Sequence, residues 1–215
     1  MSDTRPFQIA VLISGGGTTL KNLIDLRSTE GLVPQIRLVI SSKPTAGGLA
    51  FAEQGHIESL VVDHRDYSSA EAISEPIFAA CRRAGIDLVV MGGFLRKVEV
   101  PADFANRVIN IHPSLIPAFC GRGMYGMRVH EAVIDQGAAV TGCTVHFVDN
   151  QYDHGPVIAQ ASLVVGNSSP QDLQKKVFAL ECELYPQVLN AIARGEVSVV
   201  GDEVLVSSAL PQSDG

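Results

Sequence analysis

The chain has 215 residues, 46% hydrophobic and 18% charged, with a formal net charge of −7 at pH 7. That apolar content supports one core, or one core with a small annex, and excludes a disordered chain. The negative balance, the lack of any Lys/Arg run, the absence of Trp and an aromatic content of 6% exclude the usual nucleic-acid surface, which needs clustered cations and stacking rings.

Residues 7–14, FQIAVLIS, form the first predicted strand. A helix follows in TLKNLIDLRS, where Leu20, Leu23 and Ile24 recur at helical spacing. QIRLVIS is the second strand, followed by a helix from about Ala46 to Gln54. ESLVVD is the third strand, with a longer helix from Ser68 to Ala84. IDLVVMG is the fourth strand, a short helix lies near Pro101–Ala105, and RVINI is the fifth. Runs of Val, Ile and Leu separated by helices are the pattern of a parallel sheet covered on both faces. The expected fold is therefore α/β, doubly wound and mostly parallel.

The pattern then changes. After a glycine-rich loop at 121–126 and a helix near 127–137, AVTGCTVHFVD and PVIAQASLVV read as two long strands joined through NQYDHG, an antiparallel hairpin. A helix should start at Ser169-Pro170 and run to about Arg194, with Pro186 kinking or interrupting it. VSVVGDEVLVS reads as a last hairpin turning at Gly201-Asp202, and residues 208–215 as a flexible tail. No internal repeat or long linker divides the chain, so a single domain is expected. Cys81, Cys120, Cys143 and Cys182 are too scattered for a zinc motif or a disulfide framework, and Cys120 and Cys143 read as small buried hydrophobes. The apolar part of MSDTRPFQIAVLISGGG is too short and glycine-interrupted for a signal peptide or membrane span, which points to the cytoplasm.

Four stretches could carry chemistry. SGGGTTL (14–20) sits where a parallel strand feeds a helix, so Gly16, Gly17, Thr18 and Thr19 could offer N–H and hydroxyl donors to a phosphate. The run is neither a Walker A nor a dinucleotide fingerprint, and a plain tight turn explains it equally well. NIHPSLIPAF (110–119) follows the fifth strand. Strand alternation sends Ile111 to the core and turns Asn110 and His112 together toward the carboxyl edge of the sheet, unless His112 merely bonds a neighbouring loop. The hairpin holds His146, Asp149, Asp153 and His154, where a carboxylate could orient an imidazole, although turns favour Asp and Gly for conformational reasons alone. MGGFLRKV (91–98) could let a flat ring approach between Phe94, Leu95 and Val98, or could be an apolar loop. Ser114 lacks the G-x-S-x-G surroundings of a nucleophile.

In this order, VLISGGGTTL, MGGFLRKV, NIHPSLIPAF, GCTVHFVDNQYDHGPVI and ALECELYP resemble the 10-formyltetrahydrofolate-dependent formyltransferase family over roughly residues 7 to 200, and within it the phosphoribosylglycinamide formyltransferases of purine synthesis. The resemblance implies a catalytic set of Asn110, His112 and Asp153. It also implies a phosphate held at Gly16, Gly17, Thr18 and Thr19, and a ribose contact at Glu181. A pterin pocket is implied along Leu95, Arg96, Lys97 and Val98, with Val148, Asp149, Thr144 and His146 lining its other side. It further implies a phosphate-binding half at 1–100 and a catalytic, folate-binding half at 101–207. The substrates would be a phosphorylated amine and the folate, without a metal, nucleic acid or membrane, and the protein a monomer or homodimer.

The chain departs from the family pattern at extra residues around Gly121 to Tyr125 and at Gly16, Thr19, Lys97 and His154. Two alternatives stay open. One is a formyltransferase for another amine, an amino sugar nucleotide or methionyl-tRNA; the tRNA enzyme is expected to add a C-terminal domain and a basic surface. The other is a non-catalytic α/β module that binds a phosphorylated metabolite.

Overall fold

Apart from Gln8, every residue of β1 (Gln8–Ile13) is buried, as expected of a strand covered on both faces. The computed structural model describes residues 5–29, 31–201 and 203–207. Contacts divide the chain into two units, Met1–Ile109 and Asn110–Gly215, with the boundary inside β5 (Val108–His112).

In the first unit, β1 pairs in parallel with β2 (Gln35–Ser41) and β4 (Leu88–Met91), and β2 pairs in parallel with β3 (Glu58–Val61). The strand order is β3-β2-β1-β4-β5. The crossovers are α1 (Thr18–Ser28), α2 (Gly48–Gln54) and α3 (Ala70–Arg83). Ile9, Leu12, Leu20, Leu23, Ile40 and Ile77 have no exposed surface, and each such side chain contributes about 1.5–3 kcal/mol on burial. Ser69 caps α3 by accepting the Ala72 N–H at 3.1 Å, which starts the helix just inside its expected span. The expected helix near Pro101–Ala105 is a single 3-10 turn at Ala102–Phe104.

In the second unit the order continues β5-β6-β7, so the sheet has seven strands and is mostly parallel. β6 (Val140–Phe147) and β7 (Val157–Val164) are antiparallel, with a register shift between Val145 and His146. At the hairpin neck, a Cβ on Gly155 would stand 2.0 Å from the Phe147 carbonyl oxygen, so only glycine lets the loop close there. The remaining elements are α4 (Met127–Asp135), α5 (Pro170–Ala193) and the hairpin of β8 (Val197–Val200) and β9 (Glu203–Val206).

α5 packs on β6, β7 and α4 and runs unbroken through Pro186, contrary to the expected interruption. Pro186 is buried with Leu184, Tyr185, Val188 and Leu189, and the apolar burial of this turn offsets the lost N–H bond. The expected turn at Gly201-Asp202 has Gly201 at φ +64°; Asp202 and the tail 208–215 lie outside the described residues. Among the described residues no helix is long and apolar enough to cross a membrane.

Candidate active site

The last residues of β5 supply the first two groups. Ile111 between them is 9% exposed, and His112 is 4% exposed. Strand alternation turns Asn110 and His112 the same way, and both meet residues from the β6–β7 hairpin. Asn110 Nδ2 donates to His146 Nε2 at 3.3 Å. His146 Nδ1 donates to the Phe147 carbonyl at 2.8 Å, so the neutral ring carries its proton on Nδ1 and accepts on Nε2. Burial, the largest influence, holds the His146 pKa below its usual value, which preserves that neutral form. The Asn110 amide is thereby oriented, and its second N–H is left to donate elsewhere.

His112 is oriented the other way round. Its Nε2 donates to the Phe119 carbonyl at 2.9 Å, and its Nδ1 lies 3.6 Å from Asp153 Oδ2. A proton on that Nδ1 would therefore face the carboxylate. Asp153 sits at φ +49°, a backbone region sparsely used by non-glycine residues and common at functional sites. Its Oδ2 accepts the Gly121 N–H at 2.9 Å, and its Oδ1 stands 3.8 Å from His146 Nε2. Asn110, His112, His146 and Asp153 thus form one cluster.

The other candidate residues of the second unit differ in how far their polar groups are already used. His130, on α4, is 3% exposed and its Nδ1 has no hydrogen-bond partner among the described residues; burial, and then the neighbouring His112, lower its pKa. Glu181, on α5, keeps some solvent exposure, and its carboxyl has no hydrogen-bond or ion-pair partner among the described residues. Burial pushes its carboxyl up to about 8. Thr144 is fully buried, and its hydroxyl is spent on protein groups: it donates to the Ser114 carbonyl and accepts from Ile116 N–H and Gln160 Nε2. Val148 is half-buried. Asp149 accepts from Gln151 N–H at 2.8 Å and pairs with His154 Nδ1 at 2.7 Å. All four cysteines are free. Cys143 is buried and its thiol is pushed up to about 12. Cys120, expected to be buried, is only half-buried and donates its thiol hydrogen to the Pro117 carbonyl, because it lies in the loop after β5 rather than on a core strand.

The remaining candidates lie in the first unit. Gly17 caps α1 at φ +73° with no side-chain cap bond, and the first turn holds no acidic residue. Gly16 and Thr18 are exposed. An uncapped N-terminus with free N–H groups is a ready site for an anion. Ser14 Oγ accepts the Leu95 N–H at 2.9 Å and lies 2.7 Å from Ser42 Oγ, which pins the 95–98 segment to the end of β1. Leu95 is 51% exposed, Val98 is buried, Lys97 pairs with Glu99, and the buried Arg96 Nε has no hydrogen-bond partner among the described residues. An exposed apolar side chain beside an unspent donor suits a flat heterocycle with polar edges. Among the described residues no group of three or more His, Cys, Asp and Glu side chains is arranged to hold a metal ion.

Three contacts were missed in the sequence: the Phe119 carbonyl, the Gly121 N–H and the His130 ring near His112. Two are backbone atoms, which residue identity does not distinguish. Only the glycines of 121–126 hinted at unusual backbone geometry.

Residues 7–189 match the model of the formyl transferase family, and the chain belongs to that family. More particularly, it is 31% identical to the phosphoribosylglycinamide formyltransferase of Haemophilus influenzae over 96% of this chain and 97% of that one. It is 34% identical to the chloroplastic phosphoribosylglycinamide formyltransferase of Arabidopsis thaliana over 91% of this chain and 68% of that one. It spans only 15% of another relative, the trifunctional purine biosynthetic protein adenosine-3 of Drosophila melanogaster. The crystal structure of glycinamide ribonucleotide transformylase 1 from Symbiobacterium toebii superposes with a TM-score of 0.87 at 33% identity, covering 94% of this chain and 95% of that one.

Proposed function

We propose that this protein transfers the formyl group of 10-formyltetrahydrofolate to the amine of glycinamide ribonucleotide in purine synthesis, acting in the cytoplasm. The observation that carries the reading is the Asn110–His112–His146–Asp153 cluster, with Nδ1 of His112 turned to a carboxylate and an Asn110 N–H left over.

The acceptor amine adds to the formyl carbon. A C–N bond forms as the carbonyl π pair moves onto oxygen, so no protein nucleophile is needed. Asn110 donates its free N–H to that oxyanion, and protonated His112 donates from Nδ1. Asp153 stabilises the imidazolium and assists passage of the amine proton to the folate nitrogen, whose bond to the formyl carbon then breaks. The exposed N-terminus of α1, from Gly16 to Thr19, takes the acceptor phosphate. Leu95, Arg96, Lys97 and Val98 take the pterin, with Val148 and Asp149 contributing from the hairpin loop. Glu181 contacts the ribose through its otherwise unpartnered carboxyl. Thr144 and His146, whose polar atoms are occupied by protein groups, brace the site from behind.

The test is turnover of purified protein with both substrates, followed by absorbance as tetrahydrofolate is released. Steady release that disappears in His112→Ala is expected. A wild type as inert as that variant would overturn the reading, and turnover only with a different amine would move it to another acceptor.

A further inference from the structure

We propose that Ser114 is a positioning residue for the reaction: its hydroxyl holds the 118–119 turn whose Phe119 carbonyl fixes His112 with Nε2 protonated and Nδ1 facing Asp153. The proposal rests on the reading of protonated His112 as a donor to the oxyanion from Nδ1, with Asp153 stabilising the imidazolium.

Ser114 has no exposed surface. Its Oγ donates to the Ala118 carbonyl at 2.6 Å and approaches the Phe119 carbonyl at 3.3 Å. A hydroxyl has one proton to give, and here it goes to the turn, so Ser114 offers neither a free nucleophile nor a donor to substrate. The Phe119 carbonyl is the group that accepts from His112 Nε2. Phe119 lies at φ +53°, a conformation that is strained for a residue with a Cβ and persists only where surrounding contacts hold it.

The contacts that hold this segment converge on Ser114. Thr144 Oγ1 donates to the Ser114 carbonyl at 2.7 Å and accepts the Ile116 N–H at 3.0 Å. Gln160 Nε2 donates to the Ile116 carbonyl at 3.0 Å and to Thr144 Oγ1 at 2.9 Å. The segment from 114 to 116 is thereby tied to β6 and β7, and the Ser114 hydroxyl carries that restraint forward to residues 118 and 119.

The consequence is chemical. With Nε2–H committed to a carbonyl, the other ring nitrogen is the one that gains and loses a proton. That nitrogen faces Asp153 at 3.6 Å, so the proton arrives where a carboxylate stabilises it. If the turn loosens, the ring gains the other tautomer and the alignment is lost, while the substrate-binding groups stay in place.

The first arm of the test is long-range 1H–15N NMR on the wild-type protein labelled at histidine, with the His112 signals assigned from His112→Gln. The Nε2–H form is expected for the neutral ring. A neutral His112 protonated on Nδ1 overturns the proposal whether or not any variant folds. The second arm is Ser114→Ala, expected to show mixed tautomers at His112 and a kcat about tenfold lower, the equivalent of one hydrogen bond, with both KM values within about a factor of two. A folded Ser114→Ala with wild-type kcat and tautomer also overturns it. A correct tautomer pattern in a wild type inert with glycinamide ribonucleotide would count against the substrate assignment and leave the positioning intact.

Discussion

Gly121 and Asp153 are 32 positions apart in the chain, yet the Gly121 N–H donates to Asp153 Oδ2 at 2.9 Å. The residues that set this chain apart after NIHPSLIPAF therefore begin with a donor to the candidate proton-handling carboxylate.

Gly121 lies at φ +93°, and a Cβ added there meets nothing within 4 Å. Gly121→Ala would thus introduce backbone strain without a clash, about 1–3 kcal/mol. The expected outcome is a kcat lower by about tenfold with near-wild-type KM values, measured by tetrahydrofolate release. An unchanged kcat in a folded variant would show that the Gly121 N–H is not needed to orient Asp153.

Asp153→Asn keeps a carbonyl oxygen to accept from Gly121 and removes the charge facing His112. Turnover should fall on the order of 10²–10³, the usual cost of losing one electrostatic partner of a transition state. Circular dichroism and melting should stay close to wild type. A loss of less than about fivefold would leave Asp153 without a part in the chemistry.

A Cβ on Gly17 would stand 2.5 Å from the Gly48 Cα, at a φ of +73°. Neither backbone can yield cheaply, so Gly17→Ala should displace the start of α1. Steady-state kinetics should show the KM for the phosphorylated acceptor rising about tenfold more than that for the folate. Equal changes in both would argue against a phosphate at this helix end.

Glu181 gives a pH signature. Its carboxyl is raised from 4.5 to about 8 by burial. Below pH 4.5 both folded and unfolded chains carry the proton, so burial costs nothing. As pH rises from about 4.5 to 8 only the folded chain keeps it, and stability falls. Partial solvent exposure reduces the full cost to about 1–3 kcal/mol. Glu181→Gln should therefore melt near wild type at pH 5 and several degrees above it at pH 8. A melting difference independent of pH would show that the wild-type carboxyl is not raised.

Much of the fold is legible in the chain because its strongest signals are local. Strands such as QIRLVIS and LVVM are dominated by Val, Ile and Leu, and the two longest helices start at capping serines, so most segments declare their type. The Asn110/His112 pairing follows from strand alternation in the same way. The expected interruption at Pro186 failed because a local rule about helices met a tertiary fact: its turn is buried. Cys120 misled for a related reason, since burial depends on what packs over a loop.

The sequence alone determined the order of elements, the glycine-lined start of α1, and the amide and imidazole side by side on β5, all properties of near neighbours along the chain. Family resemblance, not spacing, linked Asp153 to them. Only the tertiary structure decided that His112 turns its Nε2 to the Phe119 carbonyl and its Nδ1 to Asp153, that His146 orients Asn110, and that Gly121 holds the carboxylate. Those choices depend on backbone atoms and on the closure of a hairpin loop, and a carbonyl aimed by a positive φ leaves no mark in residue identity. NIHPSLIPAF thus presents the reacting groups, but their orientation comes from the loops folded against them.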